Sequence, residues 1–259
     1  MNNNMFVGED DLVFNTNPRI PVCFCIDVSS SMLRVIDEST SVDTGRTEFR
    51  DGKMWRIVEG GRTLLDDVAD GINKFYDAIR NDEVASLSCE IALVTFSDNA
   101  QLHEDFSLVE RKSEMTSARL QQNLGDNTNM VDGVSRALEV LEARKKEYQA
   151  NGIEYYQPWL VLFTDGEPSS TSGLVEIQNK CKNLESDRKL VIFPLALTDE
   201  ADKTVLAGFS GKRKPLSIKT DKVEQFFEWL SKSVSIVSSG NVDEPVKLDV
   251  TNVSDWAEV

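Results

Sequence analysis

The sequence predicts a three-layer α/β fold in which a mostly parallel sheet lies between helices. Short apolar runs alternate along the chain with amphipathic stretches, and turn residues bound each run. Parallel strands are buried on both faces and therefore form continuous apolar runs, and their alternation with helices favours a doubly wound, Rossmann-like sheet. The predicted strands are 21–26, 89–96, 159–163 and 190–197.

Four stretches between and after these strands carry apolar residues at helical spacing. An apolar stripe of this kind is typical of a helix that packs on a core. The predicted helices include 64–79, 131–141, 174–184 and 223–237. Residues 100–106 follow a turn signal at 97–99, so we expect one antiparallel edge strand there, reached by a hairpin.

The composition is that of an acidic globular chain. Hydrophobic residues make up 40% and charged residues 28% of the 259 residues, which argues against global disorder. Lys and Arg total 28 against 44 Asp and Glu, giving a formal net charge of −16. Phosphate contacts need clustered cations, so general nucleic-acid binding and attachment to an anionic membrane are not expected.

Cysteine usage and the N-terminal sequence predict a cytoplasmic protein. The four cysteines form no C-x-x-C pair and the chain has one His, so we expect buried free thiols in a reducing compartment rather than a zinc site. The N-terminus lacks the basic start and apolar run of a signal peptide. No apolar stretch approaches the ~18 residues that a membrane span needs.

We expect an N-terminal extension (1–17), one domain (18–238) and an acidic tail (239–259). Within the domain, 33–62 is an insertion that carries six Arg and Lys residues, and it is long for a βα connection of ~2–6 residues. It is either a solvated surface insertion or a loop or hairpin over a binding site, with phosphate recognition by its arginines as a further hypothesis. The tail is either disordered, or a docking peptide or added strand.

A carboxylate and two hydroxyl side chains lie at every second position where the first predicted strand ends. Asp27, Ser29 and Ser31 form a D-x-S-x-S motif at the carboxyl end of that strand, where open α/β sheets bind ligands. These side chains are hard oxygen ligands suited to Mg²⁺, Mn²⁺ or Ca²⁺. The motif alone is a weak signal, since such short patterns arise by chance.

Two later segments offer the same chemistry. Asp165 ends another apolar strand and is followed by a glycine that permits a sharp turn. Thr128 lies in a polar loop that opens a predicted helix, and Asp126 and Asn129 flank it either as supporting groups or as plain loop residues. Two acids at strand ends and a loop hydroxyl, in this order, strengthen the prediction of a single cation site.

These motifs resemble the von Willebrand factor A (VWA) domain and its metal-ion-dependent adhesion site (MIDAS). The resemblance covers about residues 18–238. The metal-binding residues that it implies are Asp27, Ser29, Ser31, Thr128 and Asp165. In that family the hydroxyls bind the metal directly and the two acids usually act through water.

Two longer segments are similar to the bacterial tellurite-resistance-associated (TerY-like) VWA proteins. They are 157–168, QPWLVLFTDGEP, and 226–235, FFEWLSKSVS. That resemblance implies a scaffold in bacterial stress signalling, often encoded with a protein kinase and a PP2C-type phosphatase. The 33–62 segment departs from it, because in that family the metal motif runs almost directly into the first helix.

The expected function is a divalent-cation-dependent protein-interaction module without catalytic activity. The cation, Mg²⁺ or else Mn²⁺ or Ca²⁺, would accept an Asp or Glu of a protein partner, with a kinase or phosphatase as candidates. A haloacid-dehalogenase-type phosphatase needs an acid where Ser29 stands, and P-loop and G-x-S-x-G motifs are absent. His103, the sole histidine, is assigned a surface or structural role. A metal-dependent hydrolase and a secreted adhesion-type protein are the alternatives.

Overall fold

The computed structural model of the chain describes residues 15–50, 53–218, 222–242, 253 and 257–258. Its strands are β1 (Ile20–Asp27), β2 (Val35–Arg50), β3 (Lys53–Thr63), β4 (Cys89–Phe96), β5 (Ala100–Leu108), β6 (Trp159–Thr164), β7 (Val191–Ala196), β8 (Leu216–Ile218) and β9 (Ala257–Glu258). Its helices are α1 (Leu64–Arg80), α2 (Ala85–Ser88), α3 (Ser117–Leu120), α4 (Met130–Ala150), α5 (Leu174–Ser186), α6 (Lys203–Ala207) and α7 (Val223–Ser238). None of the helices in these ranges is long and apolar enough to cross a bilayer.

A seven-stranded sheet has the order β5-β4-β1-β6-β7-β8-β9. The strands from β4 to β8 in this order run parallel, whereas β5 and β9 pair antiparallel at the two edges. The α/β fold class, the four predicted strands and the antiparallel edge at 100–106 are therefore confirmed. The prediction of one antiparallel edge was incomplete, because β9 forms a second.

The strand order reverses between β1 and β6. From β1 the chain proceeds outward through β4 to β5, then returns to place β6 on the other side of β1. Doubly wound sheets bind their ligands at the carboxyl ends of the strands that flank such a reversal. In this chain those ends carry Asp27 and Asp165, the latter directly after β6.

The sheet is covered by helices on both faces. On one face, Phe24 of β1 packs edge-on against Phe75 of α1 and Phe227 of α7, with ring centroids 5.4 and 5.6 Å apart. Gly71 lets these helices approach, because a Cβ there would lie 2.2 Å from the Phe227 ring. On the other face, α4 and α5 cover a second core that includes Cys23 and Cys181. All four cysteines are buried free thiols, as predicted.

The insertion predicted at 33–62 is a long antiparallel hairpin, formed by β2 and β3 as a separate two-stranded sheet. Its root closes where Val35 pairs with Thr63 and the Leu64 amide donates to the Arg34 carbonyl at 3.3 Å. Further out, Phe49 and Met54 face each other across the strands and are both exposed. The segment is therefore a hairpin, and its contact with a ligand or partner, the alternative to a solvated surface insertion, stays a prediction.

Part of the predicted acidic tail joins the domain. Ala257 pairs with Ile218 of β8, and Ala257 and Val253 are buried in the core on the α1/α7 face. Within the described residues, the added-strand alternative is thus the one observed. Residues 243–252, 254–256 and 259 of the tail, and residues 1–14 of the expected N-terminal extension, lie outside the described residues.

Candidate metal-binding site

The carboxyl end of β1 turns sharply and directs the Asp27 side chain inward. The Asp27 carboxylate is buried, and it accepts hydrogen bonds from the Ser29 amide to Oδ1 at 2.9 Å and from Thr164 Oγ1 to Oδ2 at 2.6 Å. A short 3₁₀ turn, Ser30–Leu33, follows directly. Asp27 thus fixes the turn that presents the two motif serines and ties it to the end of β6.

The two motif serines connect this turn to Asp165. Ser29 Oγ and Ser31 Oγ lie 3.0 Å apart, and Ser31 Oγ donates to Asp165 Oδ1 at 2.8 Å. Ser29 is buried whereas Ser31 is exposed, so the cluster opens to solvent at Ser31. Four of the five predicted site residues therefore lie within one small cluster.

The second carboxylate oxygen of Asp165 has an unusual environment. Asp165 Oδ2 is buried and has no hydrogen-bond partner among the described residues. Buried polar atoms in proteins are nearly always bonded, and an unpaired carboxylate oxygen is especially costly. An atom in this state, beside two hydroxyls, fits a site completed by a cation and its water.

Burial shifts the titration of both acids. Burial raises the pKa of Asp27 from 3.8 to about 6, against the opposing effect of the hydrogen bonds from Thr164 and Ser29, and the nearby Asp165 charge raises it further. Burial also raises the pKa of Asp165, opposed by the Ser31 hydrogen bond and the positive charge of Arg34. A divalent cation near both carboxylates would favour their ionised forms and so reverse these shifts.

Thr128 lies on a loop that the backbone fastens to the same edge of the sheet. Ser29 forms a parallel bridge with Gly125, and the Ser30 amide donates to the Gly125 carbonyl at 2.8 Å. The buried Thr128 accepts no bond from this turn; its amide donates to Ser169 Oγ at 2.7 Å. The structure therefore places Thr128 beside the cluster through its neighbours, without joining its hydroxyl to the other four residues.

The residues that flank Thr128 have separate outcomes. Asn129 caps α4, because its side chain accepts a hydrogen bond from the Asp132 amide at 3.2 Å. Asp126 is exposed, and nothing in the structure gives it a role at the site. The loop-residue interpretation thus accounts for Asn129 as a helix cap.

Sequence reasoning missed three groups near the site. Thr164 orients Asp27, and its position directly before Asp165 on a strand next to β1 is the signal that identifies it. Arg34 and Glu200 form an exposed ion pair near Asp165, with Arg34 Nη1 3.1 Å from Glu200 Oε1. The pairing of Arg34 with Glu200 joins residues 166 positions apart, and no local pattern predicts it.

The donor set suits a hard cation rather than a soft one. No group of three or more His, Cys, Asp or Glu side chains in the described part of the chain is placed to hold a metal. The candidate set instead combines two carboxylates with hydroxyls, which are ligands that Mg²⁺, Mn²⁺ and Ca²⁺ accept.

A comparison with protein families identifies the domain. The model of the von Willebrand factor type A domain matches residues 22–229, well over half of the chain. The chain belongs to the VWA domain family. Proteins of this family commonly serve as interaction or adhesion modules. No curated protein matches the sequence.

Three solved structures that share this fold are distant from this VWA domain in sequence. The PilB minor pilin from Streptococcus sanguinis is 12% identical, with a TM-score of 0.60 over 88% of this chain and 64% of that one. A von Willebrand factor type A structure from Catenulispora acidiphila is 11% identical, with a TM-score of 0.55 over 85% and 43%. Proximal thread matrix protein 1 from the mussel byssus, with a zinc-occupied MIDAS motif, is 16% identical, with a TM-score of 0.50 over 86% and 47%.

These likenesses support the fold assignment alone. The chain spans between 43% and 64% of the length of the three solved chains. What those proteins bind or assemble is therefore not assigned to this chain.

Proposed function

We propose that this VWA domain binds a divalent cation at the carboxyl ends of β1 and β6 and, through the cation, an acidic side chain of a protein partner. The observation that carries the proposal is the buried, unpartnered Asp165 Oδ2 beside the Ser29 and Ser31 hydroxyls. The proposed residues are Asp27, Ser29, Ser31, Thr128 and Asp165.

Some of these residues would bind the cation, and a neighbouring residue orients one of its carboxylates. Ser29, Ser31 and Thr128 would present neutral hydroxyl oxygens to the cation, while Asp27 and Asp165 would balance its charge. Thr164 keeps the Asp27 carboxylate in place by donating to Oδ2 at 2.6 Å. A cation held mainly by neutral oxygens offers an open position to an outside carboxylate, and exposed Ser31 marks the side from which a partner would approach.

The finer assignment rests on the segments at 157–168 and 226–235. Their similarity to the TerY-like proteins supports a scaffold of bacterial stress signalling, with a kinase or PP2C-type phosphatase as the partner, Mg²⁺ as the cation and the cytoplasm as its location. Buried free cysteines are compatible with a reducing compartment. The hairpin of β2 and β3 leaves from the same turn as the site, which supports a role for it in contacting the same partner.

Calorimetric titration of the full chain with Mg²⁺ and Mn²⁺ tests the cation site. We expect one binding site in the wild type and its loss in Ser29→Ala/Ser31→Ala. Ser30→Ala is the matched control, because Ser30 lies between the two serines and contacts the Gly125 loop through its backbone amide. A wild type that binds neither ion, or a double variant that binds as tightly, would overturn the proposal.

The partner assignment needs a second experiment. A protein kinase and a PP2C-type phosphatase of the kind often encoded with TerY-like proteins would be captured on the chain in Mg²⁺ and again in EDTA. Capture that needs the cation and is lost in Thr128→Ala, while the melting temperature is unchanged, supports the proposed mechanism. Capture that is equal in Mg²⁺ and EDTA contradicts it.

A further inference from the structure

A groove lies at the amino ends of the parallel strands, opposite the candidate metal site. It has a volume of about 1020 Å³ and opens where β6 and β7 begin, at Trp159 and Val191. Val237 near the end of α7 and Val242 beyond it belong to its apolar wall, beside Pro158. Ligand pockets commonly measure ~300–1,000 Å³ and combine an apolar wall with a few polar groups. This groove has the size and make-up of a site for an organic ligand.

The polar side of the groove is strongly basic. The cations that line it are Lys145, Arg188, Lys189, Lys212 and Arg213. Glu142 is the one carboxylate among the lining residues. The whole chain has a net charge of −16, so this concentration of cations runs against the composition of the protein. A cleft lined by one sign of charge attracts ligands of the opposite sign.

Three of the five cations are balanced by neighbouring carboxylates. Lys145 pairs with Glu142 at 2.7 Å, Lys189 pairs with an exposed aspartate at 3.2 Å, and Arg213 pairs with the buried Glu185 at 2.9 Å. Arg188 and Lys212 form no ion pair with the described residues. Lys212 Nζ instead donates to the Glu185 carbonyl oxygen at 2.6 Å. Two positive charges in the groove are thus left without a counter-charge.

The backbone at Arg188 is an independent observation. Its φ of 57° makes it the one non-glycine residue with a positive φ in the described part of the chain. It closes α5, since the amide of the next residue donates to the Leu184 carbonyl at 2.7 Å. Helices commonly end this way on a glycine, because a side chain is strained in the left-handed region. An arginine that occupies such a position points to a role for its side chain.

We propose that this groove binds a phosphate monoester carried on an organic group. Such a phosphate has a charge of about −1.5 to −2 at neutral pH, which matches the two unbalanced cations. Arginine and lysine are the side chains that recognise phosphate most strongly. The apolar wall and the half-buried Tyr155 would accept the organic part. The phosphate can come from a nucleotide or from a phosphorylated side chain.

Calorimetry on the full chain, in EDTA, tests this inference. The probes are adenosine monophosphate and a phosphoserine hexapeptide, with adenosine and the unphosphorylated peptide as controls. We expect at least one phosphorylated probe to bind and its phosphate-free counterpart to fail. Arg188→Gly/Lys212→Gln should weaken binding about tenfold or more, since charge-assisted hydrogen bonds are lost. Lys180→Gln, an exposed change elsewhere on α5, should leave it unchanged.

The variants also separate this role from a structural one. Cations near a helix C-terminus stabilise the helix, whereas glycine relieves the backbone strain at the same position, so thermal unfolding of Arg188→Gly checks that the fold is kept. Binding of the phosphorylated probe should persist in Ser29→Ala/Ser31→Ala, because the groove and the candidate metal site lie at opposite ends of the strands. A wild type that binds neither phosphorylated probe, or an Arg188→Gly/Lys212→Gln variant that binds as tightly, overturns the inference.

Discussion

Thr164 Oγ1 donates a hydrogen bond to Asp27 Oδ2 at 2.6 Å, although the two residues are 137 positions apart. The contact exists because β1 and β6 are neighbours in the sheet and both side chains lie where their strands end. Both residues are fully buried. The Thr164 hydroxyl therefore satisfies one oxygen of a buried carboxylate, and together with the Ser29 amide it fixes the orientation of Asp27.

Replacing Thr164 by valine should lower both stability and cation affinity. Valine keeps the shape but removes the donor, and an unsatisfied buried acceptor costs about 1–3 kcal/mol in the free energy of unfolding. Denaturant unfolding and Mg²⁺ titration measure the two effects. Thr164→Ser keeps the hydroxyl and is the control. Equal losses in both variants would show that packing, rather than the hydrogen bond, is what matters.

The contribution of Asp27 to the stability of the metal-free domain should fall as the pH rises from about 4 to about 6. The pKa of Asp27 is raised by burial from 3.8 to about 6, so between these values the folded chain holds a proton that the unfolded chain has released. The stabilisation by protonated Asp27 is complete below the pKa of the unfolded chain and lost above the pKa of the folded chain. It amounts to about 3 kcal/mol in the free energy of unfolding.

Urea unfolding at a series of pH values, in EDTA, measures this dependence. Asp27→Asn cannot ionise and should remove the Asp27 part of the decline. Added Mg²⁺ should also reduce the decline, because bound cation favours the ionised carboxylate. An Asp27→Asn profile identical to that of the wild type would contradict the assignment of the decline to Asp27.

The sequence predicted the sheet and most of the candidate site, and the reasons are physical. Apolar runs such as 89–96 identify parallel strands because both faces are buried. The strand ends then bring Asp27 near Asp165 without any knowledge of loops. The hairpin at 35–63 was not predicted in detail, since many of its described side chains are exposed and exposed strands need no alternating apolar pattern.

Contacts across long separations were beyond the sequence for a different reason. The Arg34–Glu200 pair depends on how the turn after β1 and the loop after β7 meet, and this follows from the sheet order and not from either segment. The short strand β9 pairs two residues whose local sequence carries little strand signal. In both cases tertiary context decides the structure.

Opposite effects on cation affinity are expected when Arg34 and Glu200 are neutralised. Arg34→Gln removes a positive charge near Asp165 and should tighten Mg²⁺ binding, whereas Glu200→Gln removes a negative charge and should weaken it. Both side chains are exposed, so we expect changes of about two- to fivefold that shrink at high salt. Calorimetry at low and high ionic strength gives both values. Shifts of the same sign would exclude a simple electrostatic effect on the site.

Shortening the hairpin should leave the domain folded and able to bind the cation. Its strands pair with each other as a separate sheet, and its apolar side chains at Val42, Phe49 and Met54 are exposed. Replacing 38–60 with a short Gly-Asn turn keeps Arg62, which pairs with Asp67 of α1 at 2.5 Å. The entropy of loop closure changes by only ~0.6 kcal/mol for each doubling of loop length, so we expect a small change in the free energy of unfolding.

Thermal unfolding measures whether the shortened chain stays folded, and Mg²⁺ titration measures its cation affinity. Capture of the candidate partners measures partner binding. Because the hairpin leaves from the turn that carries Ser31, retained cation binding with weakened partner capture would assign it to the partner interface. The substitution Phe49→Ser/Met54→Ser is the milder test, since it keeps the hairpin and removes only its exposed apolar pair. Loss of Mg²⁺ binding in this milder variant would show that the hairpin instead supports the cation site.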